Sequence, residues 1–162
     1  MPAAKRAFVG LGANLGEARA TLDQALQRIA ALPQTQLLRR SSYYRSAPVD
    51  AGGPDFVNAV AELSTTLEPL ALLHALQAIE QAHGRERPYR NAPRTLDLDL
   101  LLYGDTRSDD PVLTLPHPRG HQRAFVLLPL AELEPRLPWP GRGLVADLAA
   151  AITDQPIERL ER

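Results

Sequence analysis

The spacing of apolar residues changes period several times along the chain. Phe8, Val9 and Leu11 make a short apolar run that meets Gly10-Leu11-Gly12-Ala13-Asn14-Leu15-Gly16, which predicts a strand ending in a glycine-rich turn. Between Glu17 and Leu32 the residues Ala18, Leu22, Ala25, Leu26, Ile29 and Leu32 recur at helical spacing until Pro33, the pattern of an amphipathic helix. Thr35 to Arg45 reads as one strand with a polar face, followed by a loop around Pro48 and Asp50-Ala51-Gly52-Gly53-Pro54. Phe56 to Thr65 is a second clear strand. Glu68 to His83 returns to the helical period through Leu70, Leu72, Leu73, Leu76, Ile79 and His83, with Gly84 placed to cap it.

The run Leu96 to Tyr103 is the strongest strand, and Gly104-Asp105 ends it. A polar hairpin-like stretch, the turn Leu115-Pro116-His117-Pro118, an apolar helix around Phe125 to Leu133 and a short helix near Asp147 to Ile152 complete the chain. Strand, helix, strand, strand, helix, strand and helix in that order is the split β-α-β arrangement. The fold expected is α+β, a ferredoxin-like antiparallel sheet with helices packed on it. A length of 162 residues suits a single domain over residues 1–162. The segment from Trp139 to Arg162 reads as packing that covers the sheet.

Composition narrows the chemistry. A formal charge of −1 provides no basic field to gather nucleic acid. Cysteine is absent, which excludes disulfides, thiolate nucleophiles and Cys-ligated zinc. No stretch has the length of a membrane span, so a cytoplasmic protein with no membrane partner is expected. Lys5 is the only lysine, so a phosphate loop with an embedded Lys-Ser/Thr pair cannot be built. Phosphate handling falls to arginine, metal or backbone amides.

The most informative segment is Arg94-Thr95-Leu96-Asp97-Leu98-Asp99-Leu100-Leu101-Leu102-Tyr103. On a strand, Leu96, Leu98, Leu100 and Leu102 share one face while Asp97 and Asp99 point together from the other. Two carboxylates roughly 7 Å apart repel by about 2–3 kcal/mol at an effective dielectric near 20. A cation relieves that cost, and oxygen-only ligands favour magnesium. An isolated Asp-x-Asp more often sits on a solvated face or meets arginines across a sheet. Here Arg85, Arg87, Arg90 and Arg94 crowd in just before the pair, opposed only by Glu86. Carboxylates that hold metal beside several guanidinium groups are what phosphoryl transfer requires. His117, between two prolines, is held on a turn, and Pro118 and Gly120 argue against a helical metal pair with His121.

Four ordered blocks carry a family resemblance: Gly12-Ala13-Asn14-Leu15-Gly16; Ser42-Tyr43-Tyr44-Arg45-Ser46-Ala47-Pro48 with Phe56-Val57-Asn58-Ala59; Pro93-Arg94-Thr95-Leu96-Asp97-Leu98-Asp99; and Leu115-Pro116-His117-Pro118 through Arg123-Ala124-Phe125. Over about Phe8 to Leu133 the chain resembles the 6-hydroxymethyl-7,8-dihydropterin pyrophosphokinases (2-amino-4-hydroxy-6-hydroxymethyldihydropteridine diphosphokinases) of folate biosynthesis. The resemblance implies transfer of a diphosphoryl group from the co-substrate ATP to the pterin hydroxymethyl group, releasing AMP. It implies that Asp97 and Asp99 hold two magnesium ions and that Arg85 and Arg94 neutralise charge during transfer. Gln77, Glu80, Arg87, Leu100, Thr114, His117 and Arg123 fall at positions that the family uses around the nucleotide. The pterin is expected between Phe56 and Phe125, with Asn58 and the segment of Ser46, Ala47 and Val49 reading its edge. A monomer whose partners are these two small molecules is the form implied. Asn91 and Pro118 stand where some members carry tryptophan and tyrosine, and Phe56 and Ser46 stand for tyrosine and threonine.

Other classes stay open at this level. A non-catalytic ferredoxin-like module, a paralogue that binds both ligands without turnover, and a metal-dependent phosphohydrolase all fit parts of the pattern. The fate of ATP separates them.

Overall fold

A computed structural model describes residues 3–14, 18–46, 55–85 and 96–160, with residues 84–85 as backbone. Leu15, Gly16, Ala47, Val49, Arg87 and Arg94, and the side chain of Arg85, lie outside the described residues.

The elements follow in order as β1 (Lys5–Ala13), α1 (Ala18–Ala30), β2 (Thr35–Arg40), β3 (Tyr44–Ser46), β4 (Phe56–Thr65), α2 (Pro69–Glu80) and β5 (Asp97–Tyr103). A small hairpin of β6 (Ser108–Asp109) and β7 (Thr114–Leu115) comes next, then α3 (Ala124–Leu133), a second hairpin of β8 (Pro138–Trp139) and β9 (Gly143–Leu144), α4 (Val145–Ala150) and β10 (Ile157–Arg159). In the main sheet the order is β10-β3-β4-β1-β5, with β2 also on β4, and every pairing among the described strands is antiparallel. The four strands β2, β4, β1 and β5 with α1 and α2 reproduce the ferredoxin-like arrangement expected from the element order.

Each face of the sheet carries its own core. Val9, Leu11, Ala59, Ala61, Leu63, Leu98 and Leu100 pack with Leu22, Leu26 and Ile29 of α1 and Leu72 and Leu76 of α2. Phe8, Val60, Leu101 and Leu102 pack on the other face with Val126, Leu127 and Leu130 of α3, Val145 and Ala149 of α4, and Trp139. Truncating a fully buried leucine such as Leu22 or Leu72 to alanine costs about 2–5 kcal/mol. The apolar stripes, more than helix propensity, therefore fix how α1 and α2 sit.

Four local expectations are revised. The segment read as one strand from Thr35 to Arg45 splits in two. A register shift falls between Leu37 and Arg39, leaving Leu38 48% exposed, and the Ser41 hydroxyl accepts the Val60 N–H at 2.9 Å in place of a ladder carbonyl. Gly10 and Gly12 lie inside β1, not in a turn after it. The α2 stripe is Leu72, Leu76 and Ile79, with Leu70 44% exposed, and the helix continues into a widened π turn over Gln81–Arg85, so Gly84 is not its cap. Finally, the pairing of β1 with β5 slips between Phe8 and Val9. That bulge sends Leu102 to the α3 side with Leu101, away from Leu96, Leu98 and Leu100.

Candidate active site

The register of the sheet builds the site. Asp97 pairs with Gly12, Gly12 with Asn58, and Asn58 with Tyr44, so these four residues form one lateral row across β5, β1, β4 and β3. Asp99 lies opposite Gly10, which lies opposite Val60. Paired residues present side chains to the same face, and Val60 and Leu101 place this face under α3. The two aspartates thus stand beside glycines, and the strip between Asp97 and Asn58 has no side chain filling it. With strands about 4.8 Å apart, Asp97 and Asn58 are separated by roughly 10 Å.

Gly12 suits this close approach. A Cβ there would lie 3.1 Å from Nδ2 of Asn58 and 3.9 Å from Cδ1 of Phe56. Gly10 likewise leaves ordinary contact room for Leu101, whose nearest atom would be 3.5 Å away. The Ser46 hydroxyl donates to Oδ1 of Asn58 at 2.7 Å. That bond fixes the amide, because its oxygen must face the hydroxyl hydrogen, and turns the Nδ2 donor toward Gly12. Phe56, half-buried on the neighbouring strand end, completes this side. Phe125, half-buried at the start of α3, lies against the core on the same face, and the Arg123 guanidinium carbon sits 5.4 Å from its ring centroid.

A cleft of about 530 Å³ opens along the outer edge of β5. Its walls include Gln77 and Glu80 from α2, Asp97, Asp99 and Leu100 from β5, Thr114 from β7, and His117 just beyond β7. Seven residues singled out in the sequence therefore meet in one hollow, while Ser46, Phe56, Asn58, Arg123 and Phe125 lie outside its lining. Pro118, noted above as standing where some members carry tyrosine, also lines it, and Leu73, Gln81, Pro111, Val112 and Leu113 do so without having been foreseen. The signal for Val112 was available: it is an apolar residue within a polar hairpin, and it is 68% exposed.

Two of the cleft residues have bonds that define what they can offer. Glu80 is 5% exposed, and its Oε2 accepts the Leu98 N–H at 2.7 Å. This carboxyl satisfies a donor on the outer edge of β5, so its first role is to hold the strand that carries both aspartates. His117 is seated by its own N–H, which donates to the Leu101 carbonyl at 2.9 Å. Its Nδ1 accepts the Arg119 N–H at 3.1 Å, which assigns the ring proton of the neutral form to Nε2. Nε2 lies 3.9 Å from Oδ1 of Asp99. Burial holds the imidazole below its ordinary 6.5, with Asp99 acting against the shift and Arg123, Arg119 and His121 adding to it. The neutral ring is consequently an N–H donor facing the cleft.

No group of three or more His, Cys, Asp or Glu that could hold a metal occurs among the described residues. Asp97 and Asp99 form a pair, with Asp99 45% exposed. Arrangements of this type suit a hard cation whose remaining ligands are phosphate oxygens and water.

Known proteins share both the sequence and the fold of this chain. The model of the family described as 7,8-dihydro-6-hydroxymethylpterin-pyrophosphokinase (HPPK) matches residues 8–135. The chain is 48% identical over 157 residues to the 2-amino-4-hydroxy-6-hydroxymethyldihydropteridine pyrophosphokinase of Pseudomonas aeruginosa, covering 96% of this chain and 97% of that one. It is 41% identical over 155 residues to the enzyme of the same name from Haemophilus influenzae, covering 95% and 97%. The crystal structure of Plasmodium falciparum HPPK-DHPS wild type with pterin and p-hydroxybenzoate shares the fold, with a TM-score of 0.72 at 13% identity. That match covers 93% of this chain and 43% of the longer Plasmodium chain. The chain belongs to the 7,8-dihydro-6-hydroxymethylpterin-pyrophosphokinase family, the enzymes that carry out pyrophosphoryl transfer to that pterin in folate biosynthesis.

Proposed function

We propose that this chain, as a single domain, transfers the diphosphoryl group of ATP to the hydroxymethyl oxygen of 6-hydroxymethyl-7,8-dihydropterin and depends on magnesium to do so. The hydroxymethyl oxygen attacks the β-phosphorus, the bond from that phosphorus to the oxygen bridging it to the α-phosphorus breaks, AMP leaves, and the hydroxyl proton is released. The observation that carries this reading is the row Asp97, Gly12, Asn58, which sets a carboxylate pair and a pterin-matching amide on one open strip of sheet.

Each group has a task suited to its chemistry. Asp97 and Asp99 are the ligands for magnesium, two ions in the full complex, and such ions when bound neutralise phosphate oxygens and act as Lewis acids. Gln77, Thr114 and the Nε2 donor of His117 face the nucleotide from the cleft, and Leu100 and Glu80 shape its wall. Arg123, whose guanidinium lies over the Phe125 ring, is the cation assigned to the phosphates on this side. Arg85, Arg87 and Arg94, from the arginine-rich stretch before β5, counter the charge that develops in transfer. On the other side, the pterin ring stacks between Phe56 and Phe125 while Asn58, Ser46 and the neighbouring Ala47 and Val49 meet its polar edge. With no side chain among the described residues assigned as a general base, positioning and electrostatics supply the rate. As part of the same reading the enzyme works as a cytoplasmic monomer on two small molecules, with neither nucleic acid nor membrane as partner.

The test is AMP formation from magnesium-ATP with and without 6-hydroxymethyl-7,8-dihydropterin, with the products separated by chromatography. Pterin-dependent AMP with an equal amount of pterin diphosphate is expected. ATP consumed without pterin would indicate a phosphohydrolase, and tight binding of both ligands without AMP would indicate a binding protein. Either result overturns the proposal.

A further inference from the structure

The segment after α4 lies beyond the residues matched by the family model, yet it touches both sides of the candidate site. Helix α3 begins at Ala124 with no side chain of its own capping it. Instead Oε1 of Gln155, from 31 positions later, accepts the Ala124 N–H at 2.9 Å. The same amide donates through Nε2 to the Gln122 carbonyl at 2.9 Å. The orientation is unambiguous, because an N–H must meet the amide oxygen and a carbonyl must meet the amide nitrogen. One side chain therefore holds the peptide on both sides of Arg123, immediately before Phe125.

Two residues further on, β10 begins. Ile157 pairs with Ser46, and Ser46 holds the Asn58 amide. Arg159 bonds the Ser42 hydroxyl at 3.1 Å and lies 3.6 Å from Glu132 of α3. Gln155 to Arg159 is thus a strap from the Phe125 side of the strip to the Ser46 and Asn58 side. Nothing else in the described chain bonds to both peptides flanking Arg123.

We propose that Gln155 is a positioning residue for the reaction: it fixes the Arg123 backbone, and with it the Phe125 ring, at the distance from Asn58 that the pterin requires. The proposal rests on the reading that Phe125 stacks on the pterin. Gln155 acts through the backbone it holds and does not touch a reacting atom.

The experiment compares Gln155→Ala, Gln155→Glu and Phe125→Ala in the full chain. Thermal melting locates the unfolding transition of each variant, and fluorescence titration with 6-hydroxymethyl-7,8-dihydropterin and steady-state kinetics with magnesium-ATP are measured well below it. Gln155 is exposed, so both of its variants are expected to fold. Gln155→Ala should raise the pterin Kd and KM about five- to tenfold, the effect of losing one or two modest hydrogen bonds, while kcat at saturation stays within about twofold. Gln155→Glu keeps the acceptor for Ala124 and loses the donor for Gln122, and should give a smaller rise. A lower melting temperature with unchanged pterin affinity in Gln155→Ala, while Phe125→Ala weakens binding, would reduce Gln155 to a helix cap and overturn the proposal. Unchanged affinity in Phe125→Ala as well would overturn it through the stacking reading beneath. Were Gln155→Ala to unfold, unchanged affinity in Gln155→Glu would overturn it alone.

Discussion

Asn58 and Asp97 stand in a single row of the sheet with only Gly12 between them. In the proposed function pterin recognition falls to β4 and metal binding to β5, and the residue of β1 between them contributes no side chain. The separation of roughly 10 Å is set by strand spacing, so it is as rigid as the sheet itself.

Gly12→Ala tests that strip directly. The new methyl carbon would meet Nδ2 of Asn58 at 3.1 Å, in a strand where the neighbour is itself tied to Ser46. Pterin affinity should fall roughly tenfold, about 1.4 kcal/mol, with a much smaller change in ATP affinity. Ligand titration against each substrate reads the difference, and an equal loss for both would point to general damage to β1.

Asp97→Ala and Asp99→Ala should each lower pterin-dependent AMP formation by on the order of 10³-fold without altering the melting curve in the absence of ligands. Chelation of magnesium should abolish the wild-type reaction. Residual turnover near the wild-type rate in either variant would remove that aspartate from the metal assignment.

The acid limb of stability should depend on Glu132. Burial acts to raise its pKa, but hydrogen bonds from the Tyr44 hydroxyl and from the Ser42 N–H and hydroxyl, with the Arg159 charge, bring it below the ordinary 4.5. A carboxyl lowered in the folded state contributes stability above its unfolded pKa, and that contribution is lost as pH falls through the folded value. Denaturant titrations from neutral pH to below 4.5 should therefore show a decline that is shallower in Glu132→Gln, which should also be less stable at neutral pH.

Much of this was legible in the chain because two-residue alternation and helical spacing are local. Asp97 and Asp99 sit on the face opposite Leu98 and Leu100 as the alternation requires. Leu102 departs from it because the bulge depends on how β1 pairs, which no local pattern encodes. Gly10 and Gly12 misread as turn residues for a related reason: glycine marks a close approach as readily as a bend, and only the cross-strand partner, Asn58 here, decides which. Gln155 gave no signal at all, since a polar residue in a terminal segment acquires meaning only from the helix start it meets.

Gly120→Ala should destabilise the fold by about 1–3 kcal/mol. A methyl there would come within 2.6 Å of Cη2 of Trp139, a ring 1% exposed and held among α3 and α4 residues. Chemical denaturation measures it, and a change under 0.5 kcal/mol would mean the indole moves freely.

Glu80 and His117 have a further effect through the edge they occupy. The outward Leu98 N–H goes to a carboxyl and the Leu101 carbonyl to the His117 N–H. A bare edge would be a template on which a strand of another molecule could add. Here an arriving strand would have to displace a buried carboxyl and a turn anchored on its own main chain. The border along which the proposed nucleotide cleft opens is thus already closed to strand addition, and self-association through this side of the sheet is discouraged by the bonds that build the cleft.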